Sequence, residues 1–263
     1  MATVWALIRS PRWIGLLVFA VVLASLCLWA AHWQWGRYQT KRERRVEVHA
    51  AAAAPAVPLA QLATPGSAAD PAVQYRTARV SGTYDTGGQL LVRNPLGRTG
   101  YEVVTPLVLD DGGVLFVDRG WVPLSDQGAA VAPDVPPPPT GPVTATVRLR
   151  LPEPEGSDRT APAGQVYGFD LAQWAADASG PVVPMIGDLV SQDPPAPSGL
   201  ALPDPPDVGL GPHLFYTVQW IFFAGFAAVG YVLLLRREAT ADPQDNEAAA
   251  ASSVTSDPST NDS

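Results

Sequence analysis

Three histidines are the side chains in this sequence whose type and spacing come closest to a site for chemistry. His32 ends one long apolar run and His213 begins another, whereas His49 lies among Glu and Arg residues. If the two runs form neighbouring antiparallel helices, His32 and His213 lie at one depth, at the edge of a bilayer. Histidine is rare in membrane helices and often ligates a metal or haem, so a paired ligand site is one interpretation. The other is a pair of polar interfacial residues beside Trp and Tyr.

Two acidic stretches of the central region are further candidates. Asp110 and Asp111 stand side by side, as a catalytic carboxylate pair would, but two glycines follow them and apolar runs flank them, which favours an exposed hairpin turn. The sequence Asp-Arg-Gly-Trp at residues 118–121 ends an otherwise apolar run. One interpretation is a salt-bridged strand end against which Trp121 packs. The other is a recognition surface, because Arg and Trp are enriched at binding hot spots.

The sequence carries none of the common catalytic signatures. It has no G-x-S-x-G, no H-E-x-x-H, no phosphate-binding loop and no G-x-G-x-x-G, and no plausible general base accompanies a nucleophile in the central region. The single cysteine, Cys27, excludes paired-cysteine redox and zinc sites, and two methionines are too few for a methionine-rich copper site. The formal charge of −8 offers no basic surface to nucleic acid. We therefore predict a protein that is not an enzyme and does not bind nucleic acid.

The elements that position His32 and His213 are two apolar runs, residues 13–31 and 214–235, which contain no Asp, Glu, Lys or Arg. The second run has 22 residues. At about 1.5 Å per residue it is about 33 Å long, enough for a bilayer core of about 30 Å. Aromatic residues at the ends of both runs are typical of a membrane interface. We predict transmembrane helices over residues 13–33 and 213–235.

The first apolar run also has features of a secretory signal peptide, because Arg9 and Arg12 precede it. Its 19 uncharged residues exceed the core of about 7–15 residues that signal peptides carry, and no A-x-A-like cleavage site follows it. Instead, Trp29, Trp33 and Trp35 lie at its end, where a retained helix meets the membrane surface. We therefore interpret this run as a helix that stays in the protein.

The basic residues near the spans do not decide the orientation, since four lie on the terminal side and five on the central side. Long central domains, however, are translocated largely regardless of charge. We therefore expect both termini, residues 1–12 and 236–263, in the cytoplasm, and the latter to be a disordered acidic tail. Arg outnumbers Lys by 16 to 1, which indicates a GC-rich bacterial genome. The expected location is a bacterial cell membrane that the chain crosses twice.

Changes of composition divide the region between the spans. Residues 34–54 are rich in helix formers and are predicted to extend the first helix outward. Residues 55–72 form a linker rich in Pro, Ala and Gly, and residues 194–212 form a Pro-rich connection. Residues 73–193 show the alternation of strands, with one short helix over 170–178.

Six stretches of the central domain have the pattern of strands. In the clearest, residues 143–151, apolar side chains alternate with Thr and Arg, as in a half-buried strand. The others are residues 73–84, 89–93, 101–109, 114–121 and 181–190. We therefore predict an α+β membrane protein, in which N- and C-terminal transmembrane helices flank an extracytoplasmic, mostly antiparallel β domain with one short helix.

Four short stretches follow one another along the chain in a specific order. They are Trp-Gln-Trp-Gly-Arg-Tyr-Gln at 33–39 with Lys41, Leu-Val-Arg-Asn at 91–94 with Gly97, Gly100, Tyr101 and the run 103–107, the run 114–123, and Gly-Pro-His-Leu at 211–214 with Tyr216, Gln219 and Trp220. Together with two spans around a β-rich domain, they resemble the surfeit locus protein 1 family of cytochrome c oxidase assembly factors. The long Pro- and Ala-rich insertions and the acidic tail depart from the family but leave these stretches intact.

The resemblance implies a non-enzymatic helper that matures the catalytic subunit of the haem-copper oxidase together with other assembly proteins. It also implies transient binding of haem a, with the histidine at the start of the second span, here His213, as ligand. His32 is then a second candidate ligand. Arg37, about one turn beyond His32, and Arg119 are candidate cations for the propionates. The expected partner-binding residues are Arg119, Trp121, Tyr216, Gln219 and Trp220.

A different class of function stays open beside this one. It is a membrane-anchored extracytoplasmic binding or sensor protein that is unrelated to oxidase biogenesis. The Pro-rich linkers are compatible with it, and so is a sequence without a cytoplasmic catalytic domain. Co-purification distinguishes the two, because oxidase subunits favour the first function and cell-envelope components the second.

Overall fold

The computed structural model describes residues 8–93, 99–128, 131–153 and 161–240. They form two compact units. We call the residues up to Glu43 and from Gly209 onward the helical unit, and Arg44–Val208 the sheet unit. Most of the predicted N-terminal segment and nearly all of the predicted acidic tail lie outside the described residues. In chain order the elements are α1 (Pro11–Ala53), β1 (Val57–Pro58), β2 (Thr77–Tyr84), β3 (Leu90–Arg93), β4 (Tyr101–Leu109), β5 (Val114–Val122), β6 (Pro142–Arg150), β7 (Gln165–Tyr167), α2 (Leu171–Ala175), β8 (Val182–Asp193) and α3 (His213–Thr240).

Helices α1 and α3 are long and apolar enough to cross a membrane, and few of their apolar side chains are buried within the protein. Helix α1 is continuous, so the predicted membrane segment and its predicted extension belong to one helix. Pro11 can begin it because the first turn of a helix leaves its N–H groups without an intrahelical partner, and Pro55 follows its end.

Contacts at both ends show that α1 and α3 are antiparallel neighbours. At one end the rings of Trp13 and Tyr231 meet edge to face, with their centres 5.9 Å apart. At the other end Gln34 contacts His213 through a hydrogen bond. The buried side chains between these contacts are small, which lets two helix backbones approach each other closely. They are Cys27, Ala31, Thr217 and Ala224.

The strands of the sheet unit form one sheet that closes on itself. Strand β2 pairs with β6 along its length and also with β4 at its end, where Gly82 is opposite Leu109. The pairings β2–β6–β8–β5–β4–β2 therefore make a ring of five strands. All five contribute to one apolar core, as expected for the interior of a small barrel. Its largest fully buried members include Leu107, Leu115, Leu149, Met185 and Leu189.

The prediction of a mostly antiparallel sheet was wrong, because the sheet is mixed. Strand β5 runs parallel to β8, β3 runs parallel to β7, and β1 runs parallel to β2. Alternating side chains indicate which residues of a strand are buried, but they carry no information on the direction of its neighbour. A long connection such as the one between β5 and β8 allows the chain to return in the same direction.

Two local predictions agree with the structure. Asp110 and Asp111 are exposed in the turn between β4 and β5, where Gly112 has a φ of +84° and Asp111 accepts a hydrogen bond from the Gly113 N–H. Helix α2 begins after Asp170, whose carboxylate accepts from the N–H of Gln173 at 3.1 Å. The pair Asp110 and Asp111 is therefore part of a hairpin turn.

Candidate functional site

The turn at Gly211 and Pro212 places His213 at the start of α3. Gly211 has a φ of +66°, a conformation that side-chain-bearing residues rarely adopt. The carbonyl of Pro212 accepts a hydrogen bond from the N–H of Tyr216, which closes the first turn of the helix. The Thr217 hydroxyl donates to the His213 carbonyl at 2.9 Å. The backbone around His213 is therefore fixed on both sides.

The imidazole of His213 is oriented by Gln34 of α1. Its Nδ1 lies 2.8 Å from Gln34 Oε1. Since an amide oxygen can only accept, this contact assigns the proton to Nδ1. The other ring nitrogen, Nε2, then carries the lone pair of the neutral ring, and this lone pair is what a metal-ligating histidine needs.

His32 and Arg37 lie on the same helix as Gln34 but do not share its contact. His32 is exposed, and two positions along a helix turn a side chain by about 200°, so it faces away from the direction in which Gln34 points. Arg37 is also exposed, and its guanidinium carbon lies 5.5 Å from the centre of the Trp33 ring. The structure thus brings Gln34, rather than His32, to His213.

Aromatic side chains of both helices cluster at the His213 end of the helical unit. On α3, the rings of Phe215 and Tyr216 are 5.9 Å apart, and Trp220 meets Phe223 edge to face at 5.7 Å. On α1, the rings of Trp35 and Tyr38 are 5.5 Å apart. Of the predicted partner-binding residues in this unit, Tyr216 is exposed, whereas Gln219 and Trp220 are half-buried. The aromatic rings of the two helices give the neighbourhood of His213 large apolar faces.

In the sheet unit, Arg119 is only 1% exposed. Its guanidinium donates to Gln89 Oε1 at 3.1 Å and to the Pro136 carbonyl at 2.9 Å, and it lies 5.7 Å from the centre of the Tyr84 ring. Burial raises the pKa of the Tyr84 hydroxyl to about 12, although nearby Arg119 acts in the opposite direction. In this arrangement the contacts of the Arg119 guanidinium are made within the sheet unit, to Gln89, Pro136 and the Tyr84 ring.

Trp121 is half-buried two positions after Arg119, and its backbone pairs with that of Ala201. Its N–H donates to the Ala201 carbonyl at 2.7 Å and its carbonyl accepts from the Ala201 N–H at 3.1 Å. The end of β5 therefore holds the segment that leads from β8 towards α3. Gly120 permits this approach, because a Cβ there would lie 2.4 Å from the Ala201 carbonyl oxygen.

Asp118, the neighbour of Arg119, belongs to a buried charge cluster. The sequence offered a salt-bridged strand end here as one interpretation, but it did not identify the partners of Asp118 or their burial. Arg150 contacts Asp118 Oδ2 at 3.0 Å and Asp188 Oδ1 at 2.9 Å, and its guanidinium lies over the Phe169 ring at 3.8 Å. Burial raises the pKa of Asp118 well above its ordinary value, and Glu102 and Asp188 add to this effect, while Arg150 opposes it. The cluster joins β5, β6 and β8 through their side chains.

The charge cluster forms one wall of a cavity of about 430 Å³. The proline-rich segment of residues 203–208 forms another part of its lining, and Arg148 donates to the Asp204 carbonyl of this segment at 2.9 Å. The segment thus covers polar side chains of β6, such as Arg148. The alternation of apolar and polar residues along this strand would by itself place them in solvent. Within the described ranges, no three His, Cys, Asp or Glu side chains are grouped so that they could hold a metal ion.

Comparisons with known proteins cover both units. The family model described as the SURF1 family matches residues 21–225, which include most of α1, the whole sheet unit and the start of α3. Uncharacterized SURF1-like proteins of Mycobacterium bovis and of two strains of Mycobacterium tuberculosis are 32% identical to this chain over 232 residues. The match covers 86% of this chain and 84% of each relative. The chain therefore belongs to the SURF1 family, a family associated in general with cytochrome c oxidase assembly.

Proposed function

We propose that this protein is a non-enzymatic assembly factor for the haem-copper cytochrome c oxidase, and that it holds haem a at His213 for delivery to the oxidase catalytic subunit. The proposal includes a bacterial cell membrane crossed by α1 and α3, cytoplasmic termini and an extracytoplasmic sheet unit. Membership of the SURF1 family supports the assembly role. The observation that carries the haem-binding part is the hydrogen bond from His213 to Gln34.

The residues around His213 fit a haem in two respects. First, Gln34 engages Nδ1 of the ring, so that Nε2 is the nitrogen with the lone pair for iron. Second, the position beside the ring is occupied by Gly211, where a Cβ would lie 3.4 Å from His213 Nε2. A side chain at residue 211 would crowd this nitrogen, and glycine avoids that.

Each part of this chain has a separate task in the proposed function. His213 would bind the iron and Gln34 would orient the imidazole, while Tyr216 and Trp220 would supply apolar contacts to the porphyrin face. Haem a would supply electron-transfer chemistry only in the oxidase that receives it. The chain itself binds, orients and releases its cargo.

Deleting the gene and complementing it with wild-type protein or with His213→Ala tests this function. The deletion is expected to lower the haem a signal in reduced-minus-oxidised spectra of membranes, while the b-type and c-type cytochrome signals persist. Wild-type protein should restore the haem a signal, and His213→Ala should restore it only in part. A normal haem a signal in the deletion strain contradicts the assembly role, and full rescue by His213→Ala contradicts the role of this histidine.

Cysteine labelling tests the proposed orientation. In a Cys27→Ala background, Asp126→Cys places a thiol at an exposed position of the sheet unit, and Thr240→Cys places one at the end of α3. A membrane-impermeant maleimide should label the first thiol in intact cells and the second only after lysis. The reverse pattern contradicts the orientation.

A further inference from the structure

The ammonium of Lys41 lies close to the His213 ring. A Cβ placed on Gly211 would lie 3.3 Å from Lys41 Nζ and 3.4 Å from His213 Nε2. Both distances are measured from one point, so the ammonium and Nε2 both lie beside the Cα of Gly211. A side chain at residue 211 would press against both groups.

The position of Lys41 on α1 explains this proximity. Lys41 follows Gln34 by seven residues, which is about two turns, so both side chains lie on the face of α1 that meets α3. Side chains of a helix lean towards its N-terminus, so the Lys41 side chain extends back towards the level of Gln34. Gln34 thus contacts the imidazole at Nδ1, and the Lys41 ammonium lies near Nε2.

Lys41 differs from Arg37 and Arg44, two other cations of this stretch of α1. The guanidinium of Arg37 lies over the Trp33 ring, and Arg44 contacts Glu47 at 3.7 Å and Gln74 at 3.4 Å. Lys41 is exposed, and within the described part of the chain no carboxylate forms a salt bridge with it. A primary ammonium on a long stem can follow an anionic group over several positions.

We propose that His213 and Lys41 bind a single ligand at two points: Nε2 of His213 takes the iron, and the ammonium of Lys41 takes a carboxylate of the same porphyrin. This inference rests on the proposed function and names a second contact for the same ligand. The ligand class is an iron porphyrin with ionised carboxylate side chains. The second contact sets the rotation of the porphyrin about the bond between iron and nitrogen, which a single axial ligand leaves undetermined.

The test compares haemin with its dimethyl ester, in which methyl groups block both carboxylates and remove their charge. Full-length protein is placed in nanodiscs of phosphatidylcholine, and the affinity for each probe is measured from the Soret band. The variants are Lys41→Gln and Lys41→Arg. The matched control is Arg42→Gln, which removes an exposed cation from the adjacent position of α1, on a different face.

Loss of one charge-assisted contact is expected to weaken haemin binding by Lys41→Gln about tenfold. Lys41→Arg and Arg42→Gln should bind haemin as the wild type does. The wild type should bind the ester about as weakly as Lys41→Gln binds haemin, and Lys41→Gln should not distinguish the two probes. The spectrum of the histidine-ligated iron should be unchanged in Lys41→Gln, because His213 still supplies its nitrogen.

The outcomes separate this inference from the proposed function. If the wild type binds neither probe, this inference and the haem-binding part of the proposed function are overturned, whereas the assembly role is decided by the deletion experiment. If the wild type binds haemin and loses the ligation spectrum in His213→Ala, while Lys41→Gln binds as tightly as the wild type, only the role of Lys41 is overturned. Equal weakening of haemin and ester by Lys41→Gln also overturns it. So does a Lys41 effect that appears only in nanodiscs containing phosphatidylglycerol, since Lys41 then binds a lipid phosphate.

Discussion

Gln34 Oε1 and His213 Nδ1 are 2.8 Å apart, although the two residues are 179 positions apart in the sequence. This hydrogen bond joins α1 to α3 at the end of the helical unit where the aromatic side chains cluster. It also determines which nitrogen of the imidazole is left for a ligand. A residue of the first helix thereby orients the imidazole of a histidine on the second.

Replacing Gln34 by Leu is therefore expected to weaken haemin binding by about tenfold or more, as is usual when the group that orients a metal-ligating histidine is lost. The affinity in nanodiscs and the tautomer of His213, observed by nitrogen NMR, are the measurements. Gln34→Glu keeps an acceptor oxygen and should retain most of the affinity. Wild-type affinity in Gln34→Leu would show that Gln34 does not orient the ring.

Replacing Arg150 by Leu is expected to destabilise the sheet unit strongly. The substitution leaves Asp118 and Asp188 buried without their cation, which typically costs about 3–5 kcal/mol. Denaturant unfolding of the full chain in detergent, followed by the near-ultraviolet circular dichroism of the aromatic core, measures the change. Arg79→Leu on β2 is the control, because that side chain is exposed, and it should change stability by about 0.5 kcal/mol or less. Similar losses in both variants would contradict a special role for the cluster.

The charge cluster also predicts how stability depends on pH. Burial raises the pKa of Asp118 above its ordinary value of 3.8, so the folded chain holds a proton that the unfolded chain has already lost. This contribution is fully present below the unfolded value and is lost as the pH rises through the folded value. Within that window the free energy of unfolding should therefore fall with increasing pH.

Asp118→Asn removes this titration and should flatten the pH profile of unfolding, whatever its effect on absolute stability. The groups that remain nearby are Glu102, Asp188, Arg148 and Arg150, and burial also raises the pKa of Asp188, so part of the slope should persist. Unfolding curves collected at several pH values from 4 to 8 provide the comparison. An unchanged slope in Asp118→Asn would assign the pH dependence to other groups.

Arg119→Leu separates a structural role from a role in recognition. Because the guanidinium is buried and donates to Gln89 and Pro136, its loss should lower the free energy of unfolding by about 2 kcal/mol. Haemin affinity of the folded protein should stay at the wild-type value, since Arg119 is held by contacts within the sheet unit. A selective loss of haemin affinity at unchanged stability would restore Arg119 as a cation for the propionates.

The elements that were predictable from the sequence are those with a strong local cause. A long run without charged residues favours a helix in apolar surroundings. Helices α1 and α3 each contain such a run, so both were predictable. The turn at Asp110 and Asp111 follows from glycines between two apolar runs, and α2 follows from the capping carboxylate of Asp170. Each of these signals lies within a few residues of the structure it specifies.

The features that escaped prediction depend on contacts between distant residues. Arg150 meets Asp188 only after the chain has passed through a long connection and α2, and nothing near Arg150 in the sequence indicates its partners. Gln34 stands among tryptophans with no motif to mark it as the contact of His213. Arg119 is a charged residue at a strand end, a position that is usually exposed, and its burial became possible only through acceptors at Gln89 and Pro136.

The closed ring of β2, β6, β8, β5 and β4 limits how another protein can recognise the sheet unit. Most backbone donors and acceptors of these strands are already used inside the ring, and the described strands at the margins, β1 and β7, are only two and three residues long. A client cannot add a long strand of its own to such short borders. Discrimination among clients must therefore come from side chains and loops, which can diverge between relatives while the barrel itself stays the same.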